Sequence, residues 1–138
     1  MALRHTTIPA ALVLILISGC TTQQRHPTYA WHGQEPVLAV YAVETLHSEL
    51  PQSIPPQSIR AAAERTLRHR GYTITTSEAT NDRTRIVARP PDSRLFKRII
   101  VGSSLSPNGT RISVRIEPGG NETTSRDMLE SILTLLGR

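Results

Sequence analysis

Residues 57–71 read QSIRAAAERTLRHRG, and this stretch decides the fold. Ile59, Ala62, Ala63 and Leu67 recur at helical spacing on one face, with Arg60, Glu64 and Arg68 elsewhere. The spacing predicts a helix over 57–70. Gly71 stands where a helix ends on a left-handed residue, and Pro55-Pro56 stand where prolines precede or open one. Glu64 and Arg68, four apart, form a surface pair worth about 0.3 kcal/mol. A single narrow apolar stripe has to be buried against a second layer.

Working outward, the period changes from helical to alternating beyond Gly71. Tyr72, Ile74 and Thr76 alternate with Thr73, Thr75 and Ser77. After a turn at Ala79-Thr-Asn-Asp82, Thr84, Ile86 and Ala88 alternate with Arg83, Arg85 and Arg89. Pro90-Pro-Asp-Ser93 is a second turn, and Arg94 to Ser103 (RLFKRIIVGS) is a third run with a less regular pattern. Pro107-Asn-Gly109 signals a hairpin. Ile112, Val114 and Ile116 then alternate with Arg111, Ser113, Arg115 and Glu117. Pro118-Gly-Gly120 ends the sheet, and Asn121 or Thr124 caps a last helix in which Leu129, Ile132, Leu133 and Leu136 recur at helical spacing.

Upstream, Val37 to His47 (VLAVYAVETLH) reads as one β-rich segment, apolar on both faces near its start. The predicted order is β-α-β-β-β-β-α. The fold class is α+β, an antiparallel sheet of four to five strands with two helices packed on one face. With five aromatics in 138 residues, the core has to be aliphatic.

The N-terminus carries an address. Met1 to Thr7 holds Arg4 and no acid, and Ala10 to Ile17 is an apolar run. Such a run is too short to span a bilayer, which takes about twenty residues, but it suits a secretory signal. It ends in Ile17-Ser18-Gly19-Cys20, which resembles the lipobox of bacterial lipoproteins. That resemblance implies cleavage between Gly19 and Cys20, a diacylglycerol on the Cys20 sulfur and an acylated new amine. Small residues at 18 and 19 let an extended backbone enter a protease cleft beside the one easily alkylated nucleophile. Cys20 is the sole cysteine, so no internal disulfide can form; the blander reading is an exported protein with a stray thiol. Thr21, rather than an aspartate, fits outer-membrane delivery by analogy with the enteric sorting rule.

The expected organisation is therefore a signal peptide over 1–19, a lipidated Cys20 with a flexible polar tether over 20–36, and a single domain over 37–138. Cleavage leaves a mature chain that is large enough for one modest core and still basic after the loss of Arg4. The expected localisation is the bacterial outer membrane, lipid-anchored and facing the periplasm.

A wider resemblance also covers about 37–136. Ala62 and Ala63 with Leu67, Gly71-Tyr-Thr-Ile, Arg85-Ile-Val-Ala, Thr110-Arg-Ile-Ser-Val-Arg-Ile and the closing Ser125-Arg-Asp-Met-Leu-Glu-Ser-Ile-Leu helix resemble a family of uncharacterised small bacterial lipoproteins. Its motifs are fold-determining positions, so it implies a shape and an address but no catalytic residues.

Chemistry is thin by comparison. Acids such as Asp82 and Asp92 sit in turns, where carboxylates bond local backbone. His26, His32, His47 and His69 lack metal-ligand spacing, so no metal or other cofactor is expected. No serine shows the context of a nucleophile, and an enzyme is not expected. A cell-wall hydrolase built around Glu44, His47 or Asp92 is the weakest alternative.

The arginines carry the functional interest. Arg83, Arg85 and Arg89 share one strand face, and Arg111 and Arg115 share another. With Arg98 or Lys97, they are predicted to point from the uncovered face of the sheet. Guanidinium forks match phosphate and carboxylate, so these five are candidate anion-binding residues for an anionic lipid or glycan. Plain solvation of an open face is the competing explanation. The leading expectation is an accessory, scaffolding or binding lipoprotein, held to the membrane by N-terminal acyl chains and working with an envelope protein partner. Nucleic acid is not an expected partner in that compartment.

Overall fold

A computed structural model describes residues 25–28, 37–92 and 97–138. The chain forms β1 (Arg25–Thr28), β2 (Val37–Ala42), β3 (Thr45–Leu50), α1 (Pro56–His69), β4 (Thr73–Ala79), β5 (Arg83–Arg89), β6 (Arg98–Ser106), β7 (Gly109–Glu117) and α2 (Glu122–Leu135). The strands make one antiparallel sheet in the order β1-β2-β3-β7-β6-β5-β4. α1 packs on β4, β5 and β6, α2 on β3 and β7, and the two helices touch each other on the same side. The α+β class and the one-sided helix layer are as expected.

Both helices form where their stripes predict. Pro56 occupies the first turn of α1, where its missing N–H is no loss. At the other end Gly71 takes φ +76, the Gly71 N–H bonds the Arg68 carbonyl and the Tyr72 N–H bonds that of Leu67. That double closure satisfies carbonyls the helix leaves open. For α2, the Asn121 side chain accepts the Thr124 N–H at 2.9 Å, so Asn121 is the cap.

The core lies between the layers and is aliphatic. Ile59 and Leu67 of α1 and Met128, Leu129, Ile132 and Leu133 of α2 are fully buried. They meet Leu46, Ile86, Ile99, Val101, Ile112 and Val114 from the sheet. Each such side chain contributes roughly 1.5–3 kcal/mol when taken out of water. Thr110 pins the crossing segment above β7: its hydroxyl accepts the Ile54 N–H at 2.8 Å and donates to the Gln52 carbonyl at 3.0 Å.

Three expectations need correction. Seven strands are present among the described residues rather than four or five, first because the segment read as one strand over 37–47 is a hairpin. Ala42 pairs with Thr45, and Val43 and Glu44 form the two-residue turn at φ 46 and 62. Mirror-image turns of this kind match the strand twist but normally use Asn or Gly. Second, the stretch read as a tether contributes β1, with Arg25–Thr28 paired to β2. Pro27 is tolerated there because β1 is an edge strand. Third, the run read over 94–103 extends further, with β6 described from Arg98 to Ser106, while 94–96 lie outside the described residues. The segment read as a signal peptide and Cys20 lie outside the described residues, as do 21–24 and 29–36 within the stretch read as a tether.

Candidate functional site

Strand alternation decides which side chains reach the uncovered face. On β5, Thr84, Ile86 and Ala88 are buried under the helices while Arg83, Arg85 and Arg89 are exposed. On β7, Thr110, Ile112 and Val114 go inward and Arg111 and Arg115 outward. Between these strands runs β6, whose outward residues include Gly102 and Ser104. The register sets Arg83 opposite Ser104 and Ser104 opposite Arg111; it also sets Arg85 opposite Gly102 and Gly102 opposite Ser113.

Two arginine-bearing strands therefore flank a strand with almost no side-chain bulk. Their backbones stand two inter-strand spacings apart, about 10 Å. The result is a shallow trough of about 560 Å³ along β6, reached also by His47, Arg98 and Ile100. Gly102 keeps its floor low, since a Cβ there would meet the Ser113 hydroxyl at 2.9 Å.

Of the five predicted arginines, Arg83, Arg85, Arg111 and Arg115 line this trough, and Arg98 joins them. Arg89 does not. It lies opposite Thr73 at the end of β5, beside the β4 edge.

Carboxylates on the same or a neighbouring strand hold most of these guanidinium groups. Arg111 bonds Glu49 of β3 at 2.5 Å. Arg98 bonds Glu117 at 2.6 Å, and Arg115 bonds Glu117 at 2.8 Å with Glu44 at 4.0 Å. The bond from Arg98 is the main reason that the Glu117 carboxyl stays below its ordinary pKa of 4.5, and the charges of Arg115, Arg98 and Arg85 add to it. Arg83 reaches Asp82 only at 3.9 Å, with both side chains about 70% exposed, so that contact contributes little. Arg85 makes no ion pair or side-chain hydrogen bond among the described residues.

The trough is thus a set of cations, three of them oriented by carboxylates, around Arg85, whose charge acts on Glu117 without an ion pair between them. Glu117, held as a carboxylate, is no proton donor at neutral pH. The Ser113 hydroxyl donates to the Gly102 carbonyl at 3.5 Å rather than to His47. Of the residues named for a hydrolase, His47 lines the trough while Glu44 lines a separate depression with Arg98, Arg115 and Pro118. Asp92 is exposed in the turn after β5. Among the described residues, no group of three or more His, Cys, Asp or Glu is placed to hold a metal ion. No helix among them is long and apolar enough to cross a membrane.

Two features escaped the sequence reading. One is the floor of Gly102, Ser104 and Ser113, which only the register brings together. The other is a groove between the helices, with Arg65, His69 and Arg70 on one wall and Asp127 and Glu130 on the other. Arg70 bridges that groove, donating to the Asp127 carbonyl at 2.9 Å and to the Ser131 hydroxyl at 2.7 Å.

Comparison with protein-family models and with curated proteins finds no match to this chain.

Proposed function

We propose that this protein is a bacterial envelope lipoprotein, anchored in the outer membrane through acyl chains on Cys20, whose domain is a non-enzymatic accessory and binding subunit. The address rests on Ile17-Ser18-Gly19-Cys20 and on the absence of any other cysteine. Several acyl chains, each CH₂ contributing about 0.8 kcal/mol, give stable anchoring where one would not.

One observation carries the binding role: the helices cover a single face of a seven-stranded sheet. Among the described residues no element packs on the other face, which is the surface we assign to a partner in the envelope. Its arginines are already oriented by Glu49 and Glu117, and a side chain held in place loses less freedom on binding.

Photo-crosslinkers placed at Val40 and Ile100 on the open face, and at Glu130 on the helix layer, test this in the intact envelope. The reading expects one defined envelope component captured from the open face and not from Glu130. Equal capture from both sides, or none from the open face, contradicts it.

A further inference from the structure

We propose that the trough along β6 is a phosphate-binding site, with Arg85 as its central ligand, and that it takes phosphate groups of headgroups in the leaflet that holds the anchor. The inference rests on the open face being the working surface, as argued above, and names its chemistry.

Arg85 offers a planar five-donor fork that makes no ion pair among the described residues, although Glu78 stands opposite it on β4 and its charge acts on Glu117, and that shape matches phosphate oxygens in pairs. Arg83 on the same wall has only its weak contact with Asp82. Arg111, on the facing wall, is held by Glu49 and so presents its remaining N–H groups from a fixed position. Ser104 lies between Arg83 and Arg111 in the register. Gly102 adds no side chain to the floor, where the Ser113 hydroxyl already stands, so an anion meets a floor of hydroxyls between the two arginine walls. The Ser113 hydroxyl, which donates to the Gly102 carbonyl at 3.5 Å, can turn toward an anion's oxygen.

The chain path points to headgroups as the source. From Cys20 to Arg25 is five residues, which span at most about 18 Å in any conformation. Arg25 then enters the sheet opposite Val40, and the same cross-strand row continues through His47, Ser113 and Gly102 to Arg85. Gly102 is four strands from Arg25 along that row, about 19 Å. An acylated Cys20 therefore keeps the trough within a few tens of ångströms of the bilayer surface. Leu38 of β2, opposite Pro27 of β1, is 57% exposed on the open face, an apolar side chain on the strand next to the one that leads from the anchor.

The experiment uses the full chain, solubilised in a neutral detergent, with the Gly102 amide resonance as reporter. It is titrated first with inorganic phosphate, then transferred to phosphatidylcholine bicelles with and without phosphatidic acid. The proposal expects a saturable shift with phosphate that Arg85→Ala weakens about tenfold or more, at an unchanged unfolding midpoint. Gly102→Leu, read at the Arg85 side-chain resonance, should block the site while keeping every charge. A matching shift in bicelles only when phosphatidic acid is present identifies headgroups. A shift with inorganic phosphate but not in those bicelles keeps the phosphate site and assigns it a soluble ligand. No saturable shift in either overturns the proposal. Crosslinking from the open face would stand or fall separately, so the two failures are distinguishable.

Discussion

The Ser77 hydroxyl on β4 donates to the Glu64 carboxylate on α1, joining the helix to the edge of the sheet. Arg68 completes the arrangement with an ion pair to Glu64 at 2.9 Å. Glu64 is thus more than the surface partner its spacing suggests: its side chain is only 19% exposed. The Ser77 bond, helped by the charges of Arg68 and Arg60, holds the carboxyl below its ordinary value of 4.5. A carboxyl depressed in the folded state stabilises fully above its unfolded value, and that contribution is lost as pH falls through the folded one. Glu64→Gln should therefore be less stable than the native chain at neutral pH, with the gap closing below pH 4.5. Denaturant unfolding at both conditions measures it, and a gap that ignores pH would contradict the assignment.

The β2–β3 turn is expected to improve on substitution. Val43 takes φ 46 with a β-branched side chain that is 90% exposed, so its conformation is opposed and no packing compensates. Val43→Asn should stabilise the protein by about 1 kcal/mol, seen as a higher denaturation midpoint. Glu44 should be left alone, because its carboxylate accepts the Gly119 N–H at 2.9 Å.

Gly109 opens β7 at φ +139, and a Cβ there would run into the carbonyl oxygen of Leu50. Backbone, not a mobile side chain, blocks the way. Gly109→Ala should destabilise by at least about 2 kcal/mol, measurable by thermal or denaturant unfolding.

Thr110 presents a different cost. Thr110→Val keeps the shape but leaves the Ile54 N–H and Gln52 carbonyl without the partner they now share. Loss of about 1–3 kcal/mol is expected, and the Ile54 amide should exchange with deuterium faster than its neighbours.

The two helices and strands β5 and β7 were legible because each has one strong period and a clear stop, such as Gly71 or Pro118. The β2–β3 hairpin was not, since Val43-Glu44 carries no glycine or asparagine and the apolar pattern runs through the turn. β1 was hidden because its residues, Arg25-His-Pro-Thr28, carry no apolar alternation; its place comes from pairing with β2. At the candidate site, the outward direction of the arginines followed from alternation alone. Their carboxylate partners did not: Glu49 meets Arg111 only because β3 lies next to β7. Gly102 looked like an ordinary strand glycine until the register set it between Arg85 and Ser113.

Intact-mass spectrometry of the mature protein from its native membrane tests the central claim most directly. The account predicts a chain beginning at Cys20 and carrying the added mass of a diacylglycerol and a further acyl group. A mature chain with a free Cys20 thiol, or one beginning at another residue, would contradict it.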